Sequence, residues 1–135
     1  MPMAWHTFLG LYLISVPIFL LVDLLWLGVI AKSFYRTQLG HLMGEINWPA
    51  ATIFYLIFLV GLTFFATWPA VEAQSLTRAL FLGALFGFFT YATYDLTNLA
   101  TLRDWPLAVV VVDMLWGTIL GGVVAGVTYW LWQLL

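Results

Sequence analysis

Residues Thr7 to Ala31 read TFLGLYLISVPIFLLVDLLWLGVIA. Crossing the hydrocarbon core of a bilayer as a helix takes about 20 mostly apolar residues. This stretch is long enough, and its one charged side chain is Asp23. Three further stretches have the same character, roughly Pro49–Ala70, Leu76–Thr101 and Trp105–Trp132. They are much longer than the roughly 10-residue alternating strands of a membrane barrel. The chain therefore reads as all-α, an integral membrane four-helix bundle with residues 1–135 forming a single transmembrane domain.

Composition agrees. Hydrophobic residues make up 64% of the chain, charged residues 7%, and the mean hydropathy is +1.05. Charged residues form about a quarter of an ordinary soluble domain, so the lipid bilayer is the expected surrounding. The chain has no cysteine, which excludes a disulfide framework and a thiolate metal site. A net charge of -2 leaves no basic surface for nucleic acid. Met1 to His6 carries no Lys or Arg, and no small-residue cleavage site follows the first apolar run. A cleaved signal peptide is not expected, so the first span belongs to the mature protein.

The breaks between spans have ordinary chemistry. Asn47-Trp48-Pro49 and Asp104-Trp105-Pro106 each offer an N-cap residue, an interfacial Trp, and a Pro in the first turn, while Ser75 suits the cap of the third helix. Between the first two spans, Tyr35, Leu39, Leu42, Met43 and Ile46 fall near helical spacing. That spacing suggests a short interfacial helix with its apolar face in the headgroup layer, although Gly40 and Gly44 weaken it. His41 and Glu45 would share a face of such a helix. Lys32, Arg36 and Arg103 fall on the loop side and Arg78 on the side of the termini. The bias favours cytoplasmic loops and external termini under the positive-inside rule.

Three aspartates lie inside the apolar spans: Asp23, Asp95 and Asp113. An ionisable group at membrane depth costs several kcal/mol and usually faces a polar cavity. At about 1.5 Å per residue, all three sit roughly 9–12 Å from the loop-side ends of their helices. The segments Val22-Asp23-Leu24-Leu25-Trp26 and Val112-Asp113-Met114-Leu115-Trp116 differ at one position on helices that run antiparallel. Five residues fit either an inverted duplication of the kind transporters use or a coincidence. In the third span, Thr90, Thr93, Thr97 and Thr101 form a stripe beside Tyr91, Tyr94, Asp95 and Asn98. So polar a helix is expected to pack centrally, its threonines bonding back to their own helix carbonyls. Pro17 interrupts the first span, and Tyr12 and Ser15 would line the inside of the resulting bend with Asp23. Small-xxx-small spacings at Gly83/Gly87 and at Gly117/Gly121/Gly122/Gly126 allow close helix contact, within one copy or between two copies of a homo-oligomer.

No Lys or Arg lies in the spans beside these acids. Three carboxylates at one depth cannot all ionise without a counter-charge, so a shared proton or a bound hard cation is expected. If a metal is held, Asp23, Asp95 and Asp113 are its ligands; no other cofactor is evident. Asn98, Tyr91, Tyr94, Trp26 and Trp116 complete the candidate site, the aromatic rings offering cation–π contacts. Proton- or cation-coupled transport of a small or cationic solute is the leading function. The alternatives are an intramembrane enzyme acting on a lipid or isoprenoid, and a membrane assembly subunit.

These residues carry a resemblance that runs over nearly the whole chain. Asp23 with Trp26, Phe54-Tyr55, Tyr91 to Asn98 (Tyr-Ala-Thr-Tyr-Asp-Leu-Thr-Asn), Ala100-Thr101, Trp105-Pro106, and Asp113 with Trp116-Gly117 resemble domain-of-unknown-function family 2177. That family comprises bacterial four-helix membrane proteins. The resemblance implies four spans in the bacterial cytoplasmic membrane and brings no activity, substrate or cofactor.

Overall fold

The computed structural model describes residues 4–135. Four helical stretches are long and apolar enough to cross a membrane: Trp5–Ile30, Trp48–Glu72, Leu76–Thr101 and Leu107–Leu134. The first consists of α1 (Trp5–Leu25) and a π-helical turn over Trp26–Ile30. A short helix α2 (Lys32–Leu39) follows. The second span is α3 (Trp48–Leu62), a π-helical turn over Thr63–Thr67, and α4 (Trp68–Glu72). The third and fourth spans are unbroken, α5 (Leu76–Thr101) and α6 (Leu107–Leu134).

Local chemistry explains most boundaries. The Asn47 side chain accepts a hydrogen bond from the Ala50 N–H at 3.2 Å, and Ser75 accepts one from Arg78 at 3.1 Å, so both act as caps. The second Trp-Pro break behaves differently. Asp104 adopts a left-handed conformation (φ 61°) and makes no cap; α6 begins at Leu107 with Pro106 in the cap position. Pro69 accounts for the π turn in the second span. It has no N–H to give the Phe65 carbonyl, and the extra residue per turn immediately before it spares the helix a direct clash. Pro17, by contrast, is carried inside a continuous α1.

The short helix between the first two spans stops at Gly40, so His41 and Glu45 lie beyond it and share no helical face. The short helix expected between the first two spans is thus present, over Lys32–Leu39. Lys32 and Arg36 remain exposed while Tyr35 turns inward onto α6.

The packing centre is the antiparallel pair α5 and α6. Lipid tails are as apolar as the side chains, so helices associate in a bilayer through close contact more than through hydrophobic exclusion. Here the contact is backbone on backbone. A Cβ on Gly87 would stand 1.9 Å from the Gly117 carbonyl oxygen, and one on Gly121 would stand 2.1 Å from that of Gly83. Gly122 and Gly126 face Leu80 in the same seam. These glycines are thus engaged inside one chain, the first of the two readings that their spacing allowed.

Phe19, Phe58, Leu59, Leu62, Ala66, Leu120, Val124 and Ala125 form a buried apolar cluster that binds α1 and the second span to α6. It fills the middle of the bundle, on the termini side of the aspartates. The threonine stripe of α5 is another correction: Thr93, Thr97 and Thr101 are exposed on the outer face. Each bonds back to its own helix, Thr93 to Phe89 at 2.7 Å, Thr97 to Thr93, and Thr101 to Thr97 at 2.8 Å. A hydroxyl satisfied in this way can face lipid, so the stripe does not require a central position.

Candidate functional site

In the loop-side half of the bundle the helices part around a cavity of about 350 Å³. Its wall comes from every span: Asp23 and Leu27 from the first, Ala51, Phe54 and Tyr55 from the second, Thr90, Tyr91 and Tyr94 from α5, and Asp113 and Trp116 from α6. From the helix ends, Asp23, Asp95 and Asp113 all lie roughly 9–11 Å deep, so the convergence in depth is present. All three are buried, with relative exposures of 5%, 0% and 8% respectively.

The repeated Asp-x-x-Trp segments serve each other across the α1–α6 contact. The Trp116 indole N–H donates to Asp23 Oδ1 at 3.4 Å. Reciprocally, the Trp26 indole N–H donates to the Tyr35 hydroxyl oxygen at 3.1 Å, and that hydroxyl donates to Asp113 Oδ1 at 2.7 Å. The two indoles stack face to face, 4.4 Å apart and 7° from parallel. Each aspartate is therefore held by the tryptophan of the opposite helix, directly in one case and through Tyr35 in the other. Burial, and then the nearby Asp113 carboxylate, pushes the Tyr35 phenol above the ordinary tyrosine range, which keeps it a neutral donor.

Asp95 is the exception in this network. It is fully enclosed, and neither of its oxygens meets an N–H or O–H donor. Asp113 faces it within hydrogen-bonding reach. Two carboxyl groups can hydrogen-bond to each other only when one of them carries a proton. Asp23 lies close enough to Asp113 to feel its charge, and Tyr55 is within hydrogen-bonding reach of Asp23. Lys32, Arg36, Arg78 and Arg103 are all exposed, and no base lines the cavity.

Of the side chains singled out in the sequence, Asp23, Asp113, Tyr91, Tyr94 and Trp116 line the cavity. Trp26 stands behind Trp116, and Asp95 stands behind Asp113. Asn98 is not on the wall; it is within reach of the Tyr94 hydroxyl. Tyr12 and Ser15 also lie off the wall, Ser15 donating to the Tyr12 carbonyl at 2.7 Å. Among the described residues no three His, Cys, Asp or Glu side chains gather as metal ligands. The three aspartates are arranged as a carboxyl pair with a neighbour, which is not a metal triad.

Sequence reading missed Tyr35 and Tyr55. Tyr35 carried a weak signal, being one of the apolar-face positions in the loop helix. Tyr55 stood in the Phe54-Tyr55 pair with nothing to mark which way its hydroxyl points.

A family model covers residues 8–130, nearly the whole chain, and describes a predicted membrane protein, DUF2177. The chain belongs to this family. The DUF2177 match spans all four helices and every residue of the carboxyl network described above. Neither the curated proteins nor the solved structures include a match to it.

Proposed function

We propose that this DUF2177 protein exchanges a proton for a cationic solute at its buried carboxyls, and so carries the solute across the bacterial cytoplasmic membrane. The observation that carries this reading is Asp95, enclosed without a donor and facing a second carboxyl, Asp113, that lines the cavity. A proton held between them cancels one of the pair's two charges when the cavity is empty. A cation beside Asp113 and Asp23 supplies the same neutralisation and frees the proton. Aromatic rings on the wall, Tyr91, Tyr94 and Trp116, favour a cation through their faces, by about 0.5–2 kcal/mol per contact. The exposed basic residues favour loops on the cytoplasmic side and termini outside.

The reading is tested in proteoliposomes with an imposed proton gradient and radiolabelled tetraethylammonium. Accumulation driven by the gradient, and lost in both Asp95→Asn and Asp113→Asn, is the expected result. Equal leak in wild type and both variants would overturn it. Lipid or isoprenoid chemistry is the second reading, favoured by a cavity at hydrocarbon depth. Anionic phosphate headgroups fit it poorly, because no Lys or Arg lines the wall. An assembly role in which a partner helix pairs with the aspartates has less support still, since Asp95 is enclosed by its own chain.

A further inference from the structure

The cavity is closed toward the termini by the Phe19, Phe58, Leu59 and Leu62 cluster, and Tyr35 stands over the Trp26–Trp116 stack at the loop end. Its side is less well sealed. The second span meets α5 through the Thr63–Thr67 turn and α4, while α3 touches α5 only sparsely. On the two sides of that gap the wall residues Phe54 and Tyr94 are 48% and 54% exposed; Leu27, on the first span's part of the wall, is 41% exposed. Ala51, one helical turn from Phe54, contributes only a methyl group to the same gap. Phe54 and Tyr94 both lie roughly 9–11 Å from the loop-side ends of their helices. An opening at that depth faces acyl chains.

We propose that the cavity takes an amphiphilic organic cation, which enters sideways from the loop-side leaflet between α3 and α5, its charged head reaching Asp23 and Asp113 and its tail remaining in the gap. This deepens the cation reading given above and rests on it. An inorganic hard cation would need about six oxygen ligands. This wall offers mostly rings and aliphatic carbons, and among the described residues no three acidic or histidine groups gather as metal ligands. A neutral lipid would offer the carboxyls no counter-charge beyond the proton they already share, and so could not take that proton's place. An anionic headgroup would meet acids and no base. A volume of about 350 Å³ lies at the small end of the roughly 300–1,000 Å³ of small-molecule pockets, enough for a compact head.

The test uses the whole protein in nanodiscs of zwitterionic lipid, with binding read from tryptophan fluorescence. The probes are octyltrimethylammonium, tetramethylammonium and the uncharged isostere of the first, 2,2-dimethyldecane. Ala51→Phe and Leu27→Trp each add bulk to the exposed apolar side of the wall, from a different helix, and replace no carboxyl. The expected result is saturable binding of octyltrimethylammonium, at least tenfold weaker or slower in both variants, with no binding of the hydrocarbon. If the cations bind and both folded variants leave octyltrimethylammonium unaffected, lateral entry is overturned while the cation reading survives. If the hydrocarbon binds as well as its charged isostere, or neither cation binds, the cation reading falls and this inference falls with it.

Discussion

Replacing Gly117 by Ala tests the link between the helix seam and the cavity without altering a polar group. A Cβ at this position would stand 2.2 Å from Tyr91 Cγ, 2.4 Å from Cδ1 and 2.7 Å from Cβ. Ordinary contact begins near 3.4 Å, so the ring root must retreat by about 1.2 Å. Rotation about χ1 cannot relieve the contact with Tyr91 Cβ, so α5 itself must shift. It has little room, because the Gly83–Gly121 and Gly87–Gly117 contacts already bring backbone against backbone. Overpacking of this kind costs about 1–3 kcal/mol. Tyr91 is part of the cavity wall, so cation affinity should fall by about tenfold, equivalent to about 1.4 kcal/mol. Gly28→Ala is the control: nothing lies within 4 Å of its Cβ, and the change should be neutral or slightly stabilising. Reversible unfolding in mixed micelles measures the first quantity and fluorescence titration the second. A Gly117→Ala protein as stable as Gly28→Ala, with unchanged cation binding, would refute the described seam.

Tyr35→Phe removes the donor to Asp113 and the acceptor of the Trp26 N–H, and should cost about 1.5–3 kcal/mol of stability in an unfolding titration. The same variant should flatten the alkaline limb of stability. The folded-state value of Tyr35 is raised above the unfolded one, so its contribution is complete below about pH 10 and is lost as pH rises beyond that. Trp116→Phe should lose the bond to Asp23 and part of the indole stack, lowering stability by about 1–2 kcal/mol and weakening cation binding in the fluorescence-independent flux assay. Asp95→Leu removes an enclosed carboxyl that has no donor, so the unfolding midpoint should rise while proton-driven uptake disappears.

Spans and depth were legible because both follow from length and position along a helix. Thr7–Ala31 and its three counterparts needed only a hydropathy reading, and counting residues to the helix ends brought Asp23, Asp95 and Asp113 to one level. Partnership was harder to read. The repeated Asp-x-x-Trp segments suggested symmetry, yet periodicity within one helix cannot reveal that Trp116 serves Asp23 while Trp26 reaches Asp113 only through Tyr35. Tyr35 comes from a loop whose inward turn depends on the surface it meets. The glycine spacings announced a close contact without naming its partner, and the threonine stripe suggested a buried face because back-bonding hides the hydroxyls from a polarity count. Both limits have one cause. A helix pattern specifies which residues share a face, and the neighbouring helices decide what that face meets.

Infrared difference spectroscopy on protein carrying isotope-labelled aspartate tests the proton-for-cation exchange most directly. In ligand-free protein at neutral pH, the account predicts a protonated carboxylic acid band that vanishes when tetraethylammonium binds and is absent from Asp95→Asn. Three ionised aspartates in the ligand-free protein, or a protonated band that persists with the cation bound, would contradict it.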